Sequence, residues 1–252
     1  MTLTELQGEH KPPPPARRQS LKEEASERSR FRNYVRDLIL GFNDGIVSVY
    51  AVVAGLTGAG FVSPQIGVAG IAAAIAGAMS MGLGEYVSTK GQAEYYRAEA
   101  ERERKHIRTH PELERQEIRD ILQKKGLPKE TIEPSVEAIA GDEDRFVDFM
   151  MREEFGVGQE SERSPLVAMG LVMVAFVVGA VLPVAAFFFV AQPFTGLAIA
   201  TVLSLSGLFV AGAGRNVVSD LSWWKGGLEM AALGALAAGI TYGVGTLFGI
   251  AA

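Results

Sequence analysis

The sequence predicts an all-α fold: a five-span transmembrane helical bundle with a polar helical insert between spans 2 and 3. Three observations carry that prediction. Residues 38–62, 66–89, 166–190, 194–214 and 227–250 are almost free of charge, and crossing a hydrocarbon layer about 30 Å thick takes roughly 20 residues of helix. Charged residues make up 21% of the chain, yet they are segregated into residues 1–33, residues 91–163 and short loops. Gly and Ala crowd the apolar spans, which suits close helix packing in lipid. Four blocks follow: a tail over 1–33, spans 1 and 2 over 34–90, the insert over 91–163, and spans 3 to 5 over 164–252. The chain has no cysteine, which excludes disulfides and thiolate metal ligands. The net charge of −5 averages over segregated blocks and says little. A lipid bilayer is the expected environment, and no nucleic-acid partner is expected.

The tail contains the Pro12–Pro15 run, an extended segment, and its lack of an apolar stretch argues against a cleavable signal. Ser20-Leu21-Lys22-Glu23 has the form of a capping box opening a basic amphipathic helix into span 1. Such a helix suits an anionic membrane surface; an unstructured tail is the alternative. Lys11, Arg17, Arg18, Lys22, Arg28, Arg30, Arg32 and Arg36 precede span 1, and Arg215 and Lys225 precede span 5. The turns at Ser63-Pro64-Gln65 and Gln192-Pro193 carry no Lys or Arg. The positive-inside rule then makes the N-terminus, the insert and the 215–225 loop cytoplasmic, with Ala252 on the far side.

Span 1 begins near Arg36 and Asp37, and Asp44 lies roughly 10 Å deeper at helical rise. A carboxylate inside such a run costs about 2.5–3.5 kcal/mol to insert and marks a pathway more often than packing. Span 2 ends near Lys90, which puts Met81 roughly 13 Å deep, at the level of Asp44. Glu85 stands one turn from Met81 on the same face, and Asn43, Ser80 and Met79 add polar and thioether atoms nearby. A carboxylate, an amide and thioether sulfur at one depth form a candidate transport site for a divalent metal, the sulfur favouring softer ions such as Fe²⁺ over Mg²⁺ or Ca²⁺. Asp44 is also the candidate carrier of a coupled proton. Methionine in an apolar helix commonly serves packing, and Glu85 serves equally as an interfacial residue. Gly41 and Gly45 flank the acid, permitting either close helix approach or local unwinding. Gly239/Gly243 and Gly245/Gly249 repeat the spacing in span 5 as packing residues. Pro183 predicts a kink in span 3, and Glu229 either faces the same cavity or reaches to the interface.

Span 2 continues as a helix through Glu94, Tyr95, Glu99, Glu103 and His106. Pro111 starts a second helix of the insert, Gly126-Leu127-Pro128 separates a third, and a last covers 142–155. Leu113, Ile118, Ile121, Leu122, Ile132, Val136, Ile139, Phe146 and Phe149 suffice for a small core. Glu103 and His106, Glu114 and Glu117, and Met150 and Glu154 each share a helix face. Glu-x-x-His facing acids from other helices is the ligand pattern of carboxylate di-iron bundles, although paired acids on a charged helix are also ordinary solvated surface. The consecutive Met150 and Met151 look exposed, and a polar helix gains little from two methionines there.

Gly41-Phe42-Asn43-Asp44-Gly45, Ser80-Met81-Gly82-Leu83-Gly84, Pro111 followed by Glu114 and Glu117, and the stretch from Asp148 to Gly156 together resemble the vacuolar iron transporter family. The resemblance spans nearly everything after residue 33. It implies a homodimer of five-helix protomers that exchanges cytoplasmic Fe²⁺, or Mn²⁺, for protons. It puts the membrane site on Asp44 and Met81 at the dimer interface, and the insert's metal ligands on Glu103, Glu114, Glu117, Met150, Met151 and Glu154. His106 stands where the plant pattern has glutamate. The family's acid early in span 2 corresponds to the Ala-rich stretch around Ala73, and Glu85, about three turns nearer the cytoplasm, is the candidate substitute.

The expectation is a proton-coupled antiporter exporting divalent iron or manganese, and not an enzyme. It needs no prosthetic group; Fe²⁺, Mn²⁺, Co²⁺ or Zn²⁺ would be substrate and bound ion. A membrane-anchored iron-binding or ferroxidase protein without a transport cycle is the alternative. Compact length and the lack of organellar targeting features favour a prokaryotic inner membrane over a vacuolar one.

Overall fold

A computed structural model describes residues 15–156, 163–218 and 222–250, with side chains placed from Asn33 onward except at 216–218 and 250. Among the described residues every regular element is a helix: α1 (Pro15–Gly58), α2 (Ser63–Thr109), α3 (Pro111–Lys124), α4 (Lys129–Ala140), α5 (Glu143–Glu154), α6 (Pro165–Phe189), α7 (Pro193–Val218) and α8 (Trp223–Ile250). Five are long and apolar enough to cross a membrane: Asn33–Gly58 of α1, α2, α6, Pro193–Arg215 of α7 and Trp223–Gly249 of α8. The first helix starts at Pro15, ahead of Ser20; proline suits a first turn because its missing N–H would have no helical partner. The capping box expected at Ser20 and Glu23 rests on side chains outside the described ones.

Buried apolar residues of α1, α2 and α6, among them Val49, Val53, Ala78 and Phe176, form the membrane core. Half of the apolar window of α6 is buried, against 17% for α8, so α6 is the central stave. It sits close to α1 because glycines remove side chains from the crossing. A Cβ at Gly45 would stand 2.1 Å from the Phe176 carbonyl oxygen, and one at Gly41 2.6 Å from that of Val172. α1 runs through both glycines without a break, so they serve close approach and the unwinding alternative falls. Gly45→Val is expected to cost about 3 kcal/mol or more, since backbone cannot move aside as a rotamer can. A thermal scan in detergent checks this against Gly239→Ala, where the added Cβ meets nothing within 4 Å and no loss is expected. Pro183 lies inside α6, which stays helical from Pro165 to Phe189.

Outward faces stay apolar. Val68, Ile75 and Val87 of α2, Val181 of α6, and Leu236 and Leu247 of α8 are exposed, as lipid-facing positions are in a bundle that packs only one stripe of each helix inward. The two short turns lie at one end of the bundle, where the Ser63 hydroxyl donates to the Ala191 carbonyl at 3.0 Å. The start of α6 lies at the other end, where Arg163 pairs with Asp37 near the start of span 1. The alternation of ends read from the sequence is therefore present in the fold.

α2 holds 47 residues, roughly 70 Å at about 1.5 Å per residue. That is more than twice the hydrocarbon thickness, and its polar half carries the insert. Helices α3 to α5 close on Ile107 of α2 around Ile118, Leu122, Ile132, Val136, Phe146 and Val147. Asp142 caps α5, its carboxylate accepting from the Arg145 N–H at 2.8 Å. Arg108 pairs with Glu143 at 2.7 Å, Arg119 with Glu133 at 2.7 Å and Lys125 with Glu153 at 2.7 Å. Solvent screens such rim pairs and they contribute little, so the apolar interior holds the bundle. Two expectations are corrected here. Leu113, expected in this core, is 60% exposed, because it lies about 100° around α3 from Glu114, where the buried stripe of Glu114, Ile118 and Leu122 begins. Met150 and Met151, expected at the surface, are buried in the core, where flexible thioethers fill the gap between short helices.

Candidate functional site

Asp44 and Met81 line one pocket of about 420 Å³ inside the membrane-spanning part, with Ser48, Ala73, Gly77 and Ser80 among its other walls. The sequence pairs these two residues by depth alone; the helices bring them to the same space. Two features of sequence cause it. Asp44 and Ser48 are one turn apart, and the Ser48 hydroxyl donates to the Asp44 carboxylate at 3.3 Å. On α2 the small residues Ala73, Gly77 and Ser80 leave room beside Met81. The pocket thus offers a carboxylate, two hydroxyls and a thioether, a donor set that accepts a borderline divalent cation. Ala73, where the resemblance leads one to expect an acid, lines this same pocket.

Other sequence candidates fall outside it. Met79 is exposed on the outer face of α2 and does not line the pocket. Asn43, one residue from Asp44 and so turned about 100° around the helix, is also not a wall; its Oδ1 is buried without a partner among the described residues. Glu85 lies away from the Asp44 pocket. Its carboxylate stands 3.5 Å from the Arg163 guanidinium and accepts from the Thr89 hydroxyl at 3.0 Å. Glu229 pairs with Arg215 at 2.9 Å between α7 and α8 and is more than half exposed, so it does not share the cavity.

A second constellation lies in the insert. Glu103 of α2 and Glu114 of α3 are only 7% and 3% exposed, and each has a buried carboxylate oxygen without a partner among the described residues. Burial pushes Glu103 up to about 7, and the neighbouring charges of Glu114, Glu154 and Glu117 push in the same direction. Burial also raises Glu117, with Glu114 and Glu154 adding to the effect. Four carboxylates from three helices therefore converge with too little positive charge among them. His106 adds a ring nitrogen 3.7 Å from Glu114. Glu117 and Glu154 open onto a cleft of about 510 Å³ that also holds Asp120 and Glu153. Met150 and Met151 sit beneath, in the core. Among the described residues no three His, Asp or Glu side chains are gathered closely enough to enclose an ion as they stand. A cation would have to draw them in.

Sequence reading misses Arg163. Its acceptor Asp37 is 126 positions away, and a lone arginine before a span looks like any interfacial charge.

A five-span bundle with an acid-and-thioether pocket and an acid-rich helical appendage defines a polytopic integral membrane protein. The sequence profile of the VIT family matches residues 35–246, and the chain belongs to that family. It is 34% identical over 210 residues to Vacuolar iron transporter 2 of Oryza sativa subsp. japonica, covering 83% of this chain and 85% of that protein. It is 34% identical over 233 residues to Vacuolar iron transporter 1 of Tulipa gesneriana, covering 92% and 94%. With the Vacuolar iron transporter of Toxoplasma gondii it shares 33% over 224 residues, covering 85% and 74%.

Proposed function

We propose that this protein is a transporter, not an enzyme, that carries divalent iron, with manganese as a second substrate, out of the cytoplasm in exchange for protons. The observation that carries this reading is the shared pocket of Asp44 and Met81 in the membrane-spanning part; the names of the relatives supply the ion. The acids of the insert gather cations at the cytoplasmic face, where Glu103 and Glu114 hold carboxylate oxygens without partners. The cation then passes to Asp44 and Met81. A proton arriving from the far side neutralises Asp44, removes the charge that held the cation and releases it. The Ser48 hydroxyl orients the carboxylate in both states. Two protomers are proposed, because Val52, itself a wall of the pocket, is exposed, and a second copy against that side would complete the wall.

Proteoliposomes that contain the full chain and a pH dye test this. Fe²⁺ or Mn²⁺ added outside is expected to raise the internal pH as protons leave against the incoming metal, with Co²⁺ and Zn²⁺ setting the breadth of selection. Metal uptake with no change in internal pH would contradict the exchange.

A further inference from the structure

Above the Asp44 pocket, toward the start of span 1, lies a buried charge cluster that the transport reading does not use. The Arg163 side chain is 8% exposed and lies between two carboxylates, Asp37 of α1 at 1% and Glu85 of α2 at 18%. It bonds Asp37 directly and stands 3.5 Å from Glu85, while its Nε is buried with no partner among the described residues. Asp37 stands two turns before Asp44 on α1, and Glu85 one turn beyond Met81 on α2, so the guanidinium bridges the same pair of helices about 6–10 Å above the pocket. On its other side is a polar pocket of about 290 Å³ lined by Asn33, Arg36, Ser88, Gln92 and Arg163 itself. No residue lines both pockets. Arg163 therefore stands at the partition between a polar vestibule and the chamber that holds Asp44.

Burying a guanidinium and two carboxylates contributes little net stability, since desolvation offsets most of their attraction. A hydrophobic seal would hold these helices as well. What the ionic one adds is reversibility toward charge. A divalent cation presents to Asp37 and Glu85 what the guanidinium presents, with a higher charge density. We propose that Arg163 is a guanidinium latch closing the cytoplasmic end of the α1–α2 cleft, and that a divalent cation reaching Asp37 and Glu85 displaces it on the way to Asp44. This rests on the transport reading for its direction, and Arg163 acts in it as a positioning residue that never needs to touch the transported ion at Asp44.

The absence of cysteine makes the latch measurable. In the full chain in proteoliposomes, Ala73→Cys puts one thiol inside the chamber and Ser88→Cys puts one in the vestibule. A membrane-impermeant cationic methanethiosulfonate is added from outside. Arg163→Gln is expected to speed modification at position 73 by about tenfold, a coupling of ordinary size, and to leave position 88 unchanged. Because Arg163→Gln leaves the buried Asp37 with only Arg36, 3.8 Å away, the milder Glu85→Gln is run beside it, with an expected rise of about threefold. Equal rates at position 73 in all three backgrounds would overturn the latch. Displacement is read separately: the KM for Mn²⁺ is expected to fall about fivefold in Arg163→Gln, and an unchanged or higher KM would overturn that part. The labelling needs no transport, so a failed latch and a failed transport reading give different patterns.

Discussion

Asp44→Ala is expected to abolish metal-driven proton movement in proteoliposomes. The drop should exceed about 100-fold, because changes to groups that merely support a metal ligand already cost 10–100-fold and Asp44 is the only acid among the described walls of the pocket. Asp44→Asn separates charge from shape. It keeps the volume and one acceptor oxygen, but can neither balance a divalent cation nor take up the counter-transported proton, so its flux should be as low as that of Asp44→Ala. Ser48→Ala removes only the donor 3.3 Å from the carboxylate and should cost less than about tenfold. Near-normal flux in Asp44→Asn would remove the pocket from the transport path.

The second large effect belongs to the insert. Glu114→Ala combined with Glu117→Ala should lower the number of metal ions bound per full-length chain, measured by equilibrium dialysis with Mn²⁺, while Asp44→Ala leaves the insert's ions in place. The pH dependence has a definite sign. Glu103 is held at about 7, above its ordinary 4.5, by burial and by Glu114, Glu154 and Glu117. Without metal, folding raises its pKa, so the folded chain holds more protons than the unfolded one between about 4.5 and 7. Stability from this group is then present at the acid end of the window and lost as pH rises through about 7. With metal the direction reverses: a bound cation needs the carboxylate ionised, so affinity should fall as pH drops below about 7, by up to tenfold per unit for each proton displaced. Removing Glu114 and Glu117 takes away two of the charges that raise Glu103, so the stabilisation of the metal-free protein on acidification should shrink. Equal Mn²⁺ binding before and after the double substitution would return these acids to ordinary surface.

The helices of this fold were legible because lipid and glycine leave strong marks on sequence. Apolar runs, Pro111 at a helix start and Gly126-Leu127-Pro128 between helices all translate locally into backbone. The pairing of Asp44 with Met81 was legible for the same reason, since depth on a straight helix is a matter of counting residues from the membrane edge. What resisted was anything decided by a partner distant in sequence. Glu85 looks like a spare ligand until Arg163 is beside it, and that pairing depends on how α6 enters the bundle. Met150 and Met151 look exposed on a polar helix until α3, α4 and α5 close on α2 around them. Leu113 looks like core until its turn of α3 is oriented. Gly41 and Gly45 allowed two readings, and only the Val172 and Phe176 carbonyls of α6 choose between them. The placement in a prokaryotic membrane gained no support, since the relatives compared above are plant and Toxoplasma proteins.

The most direct measurement is the position of the ion itself. Crystals of the full-length protein grown with Co²⁺ should show an anomalous scattering peak about 2–2.6 Å from an Asp44 carboxylate oxygen and the Met81 sulfur, a peak that Asp44→Asn removes. Strong peaks at the insert with none at Asp44, under conditions where the same preparation carries metal across a bilayer, would contradict the account.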